Sequence, residues 1–176
     1  MLDKDRQMRR LQLLAARLAE WRDTPQHMPL DTREEVALMM AATFPRFRDF
    51  ADLGMRFLGF RLTAMQGDIA DYMQDCPRNA MVAAQRGEAK STLAALYAVW
   101  SLIQDQGTRI LIVSGGEKQA SDVALLIIRL IETWGLLCYL RPDKSRGDRT
   151  SYESYDVHID LKPLDKSASV ACVGIT

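Results

Sequence analysis

The chain has few of the residues that build metal centres or covalent frameworks. Its three cysteines, Cys76, Cys138 and Cys172, are odd in number and none belongs to a C-x-x-C pair. That excludes a disulfide scaffold and a cysteine-rich zinc site as the organising principle, and it fits a reducing compartment. The two histidines, His27 and His158, lie far apart and outside any cluster of ligand-type residues. Each reads as a surface or loop histidine rather than a catalytic base. No apolar run is long enough to span a bilayer, and the charged N-terminus lacks the apolar core of a signal peptide, so a cytoplasmic location is expected. Charge of one sign is also missing: 23 basic and 23 acidic residues leave a formal net charge of zero. Nothing in the whole-chain field attracts nucleic acid, and any such binding must come from a local patch. The two basic clusters, Arg6, Arg9 and Arg10 near the start and Arg141, Lys144, Arg146 and Arg149 later, read as solvated surface.

What is present is enough for one domain with a real core: 176 residues, 48% hydrophobic and 26% charged. Met8, Leu11, Leu14, Leu18 and Trp21 recur at helical spacing across residues 2–22. Thr32 with Glu35 reads as a capping box for a second helix that ends near Thr43. The aromatic run Phe44, Phe47, Phe50, Phe57 and Phe60 reads as core that packs these front helices onto the rest. Thr63 caps a helix over 64–75 with Met65, Ile69, Tyr72 and Met73 inward. From there the pattern predicts a strand at 80–84, a helix at 91–105, a strand at 109–113, a helix at 118–134 and a strand at 136–140. The apolar, β-branched second strand reads as buried on both faces, hence parallel. A solvent loop at 141–154, a half-buried strand at 155–161 and an apolar strand at 168–175 follow. The β-α-β-α-β order argues an α/β fold of three layers with right-handed crossovers. A buried-type strand as the last element marks the chain as part of something larger.

Met81 to Thr92 read M-V-A-A-Q-R-G-E-A-K-S-T: a short apolar run, a polar loop ending in Lys-Ser, and an immediate helix. That order suits a phosphate-binding loop, in which backbone N–H groups wrap the phosphates, Lys90 reaches the β/γ oxygens and the Ser91 hydroxyl holds Mg²⁺. The pattern G-x-x-x-x-G-K-S/T wants glycine where this chain has Ala84 and Ala89. Glycine serves there because the turn is tight and the backbone approaches the ligand closely. Alanine is the least intrusive replacement, and Gly87 supplies one conformationally free position. The alternative is an ordinary strand-to-helix turn with a surface lysine.

Four stretches resemble the N-terminal part of a terminase large subunit, the DNA-packaging ATPase of tailed bacteriophages, in its short-tailed podovirus form. Gln66 to Tyr72 resembles the family's Q-x-x-I-A-x-Y helix. Gln85 to Ser91 resembles its deviant phosphate loop, in which R-G-x-x-K-S/T is frequent. Ile110 to Ser114, followed by Lys118, Ala120 and Ala124, resembles its second strand and helix. Ser169 to Thr176 resembles the strand ahead of its G-x-x-T-G-x-R-A/G-D segment. The likeness spans about residues 44–176. It implies a P-loop NTPase core with a mainly parallel central sheet over 63–176, preceded by an N-terminal helical region over 1–62. It also implies that the acidic Mg²⁺-binding strand and the nuclease domain lie beyond Thr176.

The resemblance implies ATP and Mg²⁺ as cofactors. Gln85, Arg86, Gly87, Glu88, Ala89, Lys90, Ser91 and Thr92 would cradle the nucleotide, Lys90 and Arg86 would stabilise charge during hydrolysis, and Ser91 would be a Mg²⁺ ligand. Arg86 has a surface salt bridge as its alternative role. Gln66 would read the adenine edge, with Phe57, Phe60 or Tyr72 near the base. Asp160 is the nearest imitation of a Mg²⁺ carboxylate, although its strand has the wrong pattern. The implied partners are double-stranded DNA, the small terminase subunit and the portal protein. The implied full-length assembly is a homo-oligomeric ring in the host cytoplasm, while the part in hand is expected to be monomeric. Two other readings stay open: a helicase-like ATPase, and a non-hydrolysing interaction module whose loop has decayed.

Overall fold

The computed structural model describes residues 2–175 apart from Pro77, Ala80, Ala84 and Arg86. Helix α1 (Leu2–Ala19) buries Leu14 and Leu18 against the body. A 3-10 turn at Pro25–His27 leads into α2 (Leu30–Thr43). The expected capping box at Thr32 does not form: α2 starts three residues earlier, with Pro29 in the cap position, and its first helical bond runs from the Arg33 N–H to the Pro29 carbonyl. Proline pre-sets the backbone at this entry, and the helix begins as soon as the chain is past it.

Helix α3 (Phe47–Phe57) packs on α5 (Lys90–Gln104), the central helix of the core. The two approach closely because Gly54 has no side chain; a Cβ there would lie 2.4 Å from Leu96 Cδ2. Phe44, Phe47 and Phe50 are buried as expected, with Phe44 and Phe50 edge-to-face at 5.4 Å. Trp100 joins them and donates its indole N–H to the Phe44 carbonyl at 2.8 Å. The last two aromatics depart from the expectation. Phe57 stacks on Trp134 at 4.8 Å while remaining partly exposed, and Phe60 is solvent-exposed.

Helix α4 (Ala64–Asp75) starts with the capping box expected at Thr63: the Thr63 hydroxyl accepts from the Gln66 N–H, and the Gln66 carbonyl oxygen accepts from the Thr63 N–H. Beyond α5 come β1 (Ile110–Ser114), α6 (Glu117–Thr133), β2 (Ser154–Tyr155) and β3 (Val170–Gly174). The sheet order is β1-β3-β2. β1 and β3 are parallel, with Ile110 opposite Val170 and Ser114 opposite Gly174, and β2 is antiparallel to β3. The fold is therefore α/β, rich in helix, with a small mixed sheet. β1 is not buried on both faces: it is an edge strand that leaves Leu111 and Val113 exposed.

Two more expected strands are replaced. Residues 136–140 form a buried 3-10 helix, Gly135–Leu140, which packs between α1 and α6. A five-residue apolar run carries no period that separates a strand from a buried helical turn. Here Arg33, itself buried in α2, donates to the Tyr139 carbonyl at 2.6 Å and to the Pro25 carbonyl at 2.5 Å, and so fixes the turn. The strand expected at 155–161 is reduced to Ser154–Tyr155, and the chain then turns into a 3-10 helix at Ile159–Leu161. The strand expected at 80–84 falls partly outside the described residues, and Met81, Val82 and Ala83 are not in a strand. Among the described residues no single helix is long and apolar enough to cross a membrane.

Candidate functional site

Of the residues expected to form the loop, Gln85, Gly87, Glu88 and Ala89 lead into α5, and Lys90, Ser91 and Thr92 form its first turn. Ala89 is the residue ahead of that helix and has φ of +54°; it is the one non-glycine residue with positive φ among those described. Gly87 also has positive φ, +94°. The left-handed conformation crowds a Cβ, so an L-residue adopts it at a cost that glycine avoids. Position 89 therefore has the backbone that the glycine of a phosphate loop would supply, with an alanine held in it. Alanine has no side-chain oxygen to cap α5, and the first turn of the helix carries no acid. The first helical bond runs from the Leu93 N–H to the Ala89 carbonyl at 2.9 Å, so the N–H groups of Ser91 and Thr92 have no acceptor within the helix. Uncapped amides and the positive end of the helix dipole meet at this point.

Lys90 folds back over the loop and donates from Nζ to the Gln85 carbonyl at 2.6 Å. Gln66 is buried behind the loop. Its carbonyl oxygen is held by the cap of α4, and its amide nitrogen lies 3.5 Å from the Glu88 carbonyl. Both ends of Gln66 are thus engaged with backbone, and the residue braces the loop from below. Arg86 lies outside the described residues.

Three recesses flank the loop among the described residues, one of about 650 Å³ running from Lys90 and Ser91 along α5 and β1. A second, of about 570 Å³, lies between α4 and residues 81–88; its walls include Met65, Asp68, Ile69, Tyr72, Met81 and Gln85. The sequence reading turned Met65 and Tyr72 inward, but both are about half exposed and face this cleft. The third, of about 500 Å³, lies beside the C-terminal end of β1, where Ser91 faces Ser114, Gln119 and Asp122. Among the described residues no group of three His, Cys, Asp or Glu side chains is placed to hold a metal ion. Of the aromatics considered for the base, Tyr72 alone lines the cleft; Phe57 is stacked on Trp134, away from it.

The remaining candidates are structural. Asp160 pairs with Arg146 at 2.7 Å and lines a different recess, beside Gln104 and Gln106. His158 is buried, contrary to the sequence reading; its Nδ1 accepts from the Asp160 N–H at 3.3 Å. Burial, with Arg33 nearby, holds its imidazole below the ordinary histidine range. In the later basic cluster Lys144 and Arg146 stay exposed, as read; Arg141 donates to the Arg22 carbonyl, and the partly exposed Arg149 pairs with the buried Asp156 at 2.9 Å. Lys162 bridges the buried carboxylates of Asp148 and Asp156, at 3.2 and 2.9 Å. Burial pushes the Asp156 carboxyl up, and hydrogen bonds from Arg149 and Lys162 outweigh it, leaving the group below the usual carboxylate range. Nothing local in the sequence marks this network, because its partners lie up to fourteen residues apart in a stretch with no apolar period.

No protein-family model matches the chain. Over 91 residues it is 40% identical to the terminase large subunit of Enterobacteria phage T3, a match that covers 52% of this chain and 15% of that protein. The chain thus accounts for well under two thirds of this relative, and over the aligned segment it is similar to a terminase large subunit.

Proposed function

We propose that this chain carries the nucleotide-binding loop of a terminase large subunit and belongs to a motor that couples ATP hydrolysis to movement of viral DNA into a procapsid. The observation that carries the reading is Ala89: a left-handed residue at the motif's glycine position, directly ahead of Lys90-Ser91 and an uncapped helix. The similarity to the phage T3 protein supports the same family. In this reading 63–176 is a P-loop core, and the loop residues Gln85, Arg86, Gly87, Glu88 and Ala89 enclose the phosphates. Backbone N–H groups of Ser91 and Thr92 donate to phosphate oxygens at the helix end. Lys90 leaves the Gln85 carbonyl and neutralises β/γ charge, and Arg86 adds a second cation as charge builds on the transferring group. Gln66 holds the loop in place through Glu88. Mg²⁺ would arrive with the nucleotide and take the Ser91 hydroxyl as a ligand. Double-stranded DNA, the small terminase subunit and the portal are the partners this role requires, with the full-length protein in a ring.

A non-hydrolysing module remains the second reading, favoured by alanine at positions 84 and 89, where the motif has glycine. Titration with a fluorescent ATP analogue and Mg²⁺, on the chain and on Lys90→Ala, separates the two. Saturable binding that weakens at least about tenfold in the variant, the loss expected for one charge-assisted contact, supports the nucleotide reading. No binding by either protein sinks it.

A further inference from the structure

Gln66 has its side-chain oxygen in the α4 cap and its amide nitrogen 3.5 Å from the Glu88 carbonyl, and the cleft of about 570 Å³ beside the loop offers further residues for base recognition. Its size is that of a small-molecule site. Met65, Asp68, Ile69 and Tyr72 lie at i, i+3, i+4 and i+7 on α4, so they form one stripe along a single helix face. Met81 stands opposite and is 86% exposed. The Tyr72 hydroxyl accepts from the Met81 N–H at 3.3 Å, which ties the two walls together and holds the ring in place. An aromatic face with thioethers around it suits a flat heterocycle. Asp68 sits at the rim, its side chain 78% exposed, with Arg48 at a long 3.4 Å. Gln85 belongs both to this cleft and to the phosphate loop, where its carbonyl takes Lys90 Nζ. A ligand in the cleft therefore continues into the loop.

We propose that the cleft takes the nucleobase, stacked against Tyr72, Met65 and Met81, and that Asp68 selects bases carrying an exocyclic amino group, adenine before hypoxanthine. The proposal rests on the phosphate-loop reading above. A carboxylate is an acceptor only; it takes a hydrogen bond from the adenine amine and repels the oxygen that hypoxanthine has in its place. Neither Asp68 nor Tyr72 is a buried core residue, so both can be changed without emptying the core.

The test compares affinities for ATP, ITP and inorganic tripolyphosphate in the chain, Asp68→Ala and Tyr72→Ala, with an azidoadenosine photoprobe mapped by mass spectrometry. The expected result is a preference for ATP over ITP of about tenfold or more, lost in Asp68→Ala. Tyr72→Ala should weaken both nucleotides and leave tripolyphosphate unchanged. Equal affinity for ATP and ITP, or a preference that survives Asp68→Ala, overturns the proposal. Tripolyphosphate binding as tightly as ATP overturns the cleft while the phosphate loop stands. If neither ATP nor tripolyphosphate binds, the phosphate reading fails and the photoprobe decides: label within residues 65–72 or 81–85 keeps the cleft, and label elsewhere or none removes it.

Discussion

Ala89 is an L-residue held where the chain ahead of α5 turns left-handed. Its backbone is left-handed, with φ of +54°, and the motif position it fills is the one where phosphate loops keep glycine. Ala89→Gly should therefore raise unfolding free energy by about 1 kcal/mol, because the left-handed strain on the Cβ outweighs the extra entropy of an unfolded glycine. Denaturant unfolding measures it, and a destabilised variant would show that the loop does not hold this conformation. The helical half of the motif was legible in the sequence here: α5 starts at Lys90, directly after Ala89, whereas Met81, Val82 and Ala83 do not form the expected strand. The burial of Gln66 was not legible, since its neighbour Glu88 is 22 residues away and an exposed and a buried glutamine look alike in a sequence.

Single elements were read well where a long period or a cap signalled them. The positions of α1, α4, α5 and α6 follow their apolar spacing, although Met8 on α1 and Met65 and Tyr72 on α4 stay exposed, and Thr63 caps α4 through the reciprocal bonds its spacing predicts. Removing the cap in Thr63→Ala should cost about 1 kcal/mol and should also loosen Gln66, so hydrogen exchange at residues 85–89 should rise with the loss of stability. A stability loss with unchanged exchange would separate the cap from the loop. Short elements failed for the opposite reason. Leu136–Leu140 is five apolar residues long, and what makes it a 3-10 turn is Arg33, more than a hundred residues earlier. The cap read at Thr32 lost to Pro29, which starts the helix sooner.

At the scale of the molecule, one hydrophobic cluster runs from Leu14 in α1 to Val170 in β3, and the buried charges of residues 148–162 close the side beside it. That network was invisible in the sequence because its signal is pairing across a turn, not composition. Replacing Lys162 with Met leaves Asp148 and Asp156 facing each other without their shared cation. The expected loss is roughly 3–5 kcal/mol, read by thermal unfolding; a loss under about 1 kcal/mol, the size of an exposed pair, would mean the carboxylates are solvated. The same region sets a pH dependence. His158 has a folded pKa below its ordinary 6.5, so the unfolded chain takes up a proton that the folded chain refuses. Its stabilising contribution is complete above that value and is lost as pH falls below it. Asp156, held below the carboxylate range, adds a further loss at lower pH, as it is protonated. Tm should drop as pH is lowered from 7.5 towards 5, and His158→Asn, which keeps an acceptor for the Asp160 N–H, should flatten the upper part of that fall. An unchanged slope in the variant would assign the fall to other groups.

Whether the segment around Ala89 binds nucleotide phosphates despite its alanine is tested most directly by calorimetric titration with Mg²⁺ and ATP of the chain, Lys90→Ala and Ala89→Gly. The account predicts saturable one-site binding in the chain, loss in Lys90→Ala, and affinity in Ala89→Gly equal to or tighter than the parent. No heat of binding in the chain and in Ala89→Gly alike would contradict it.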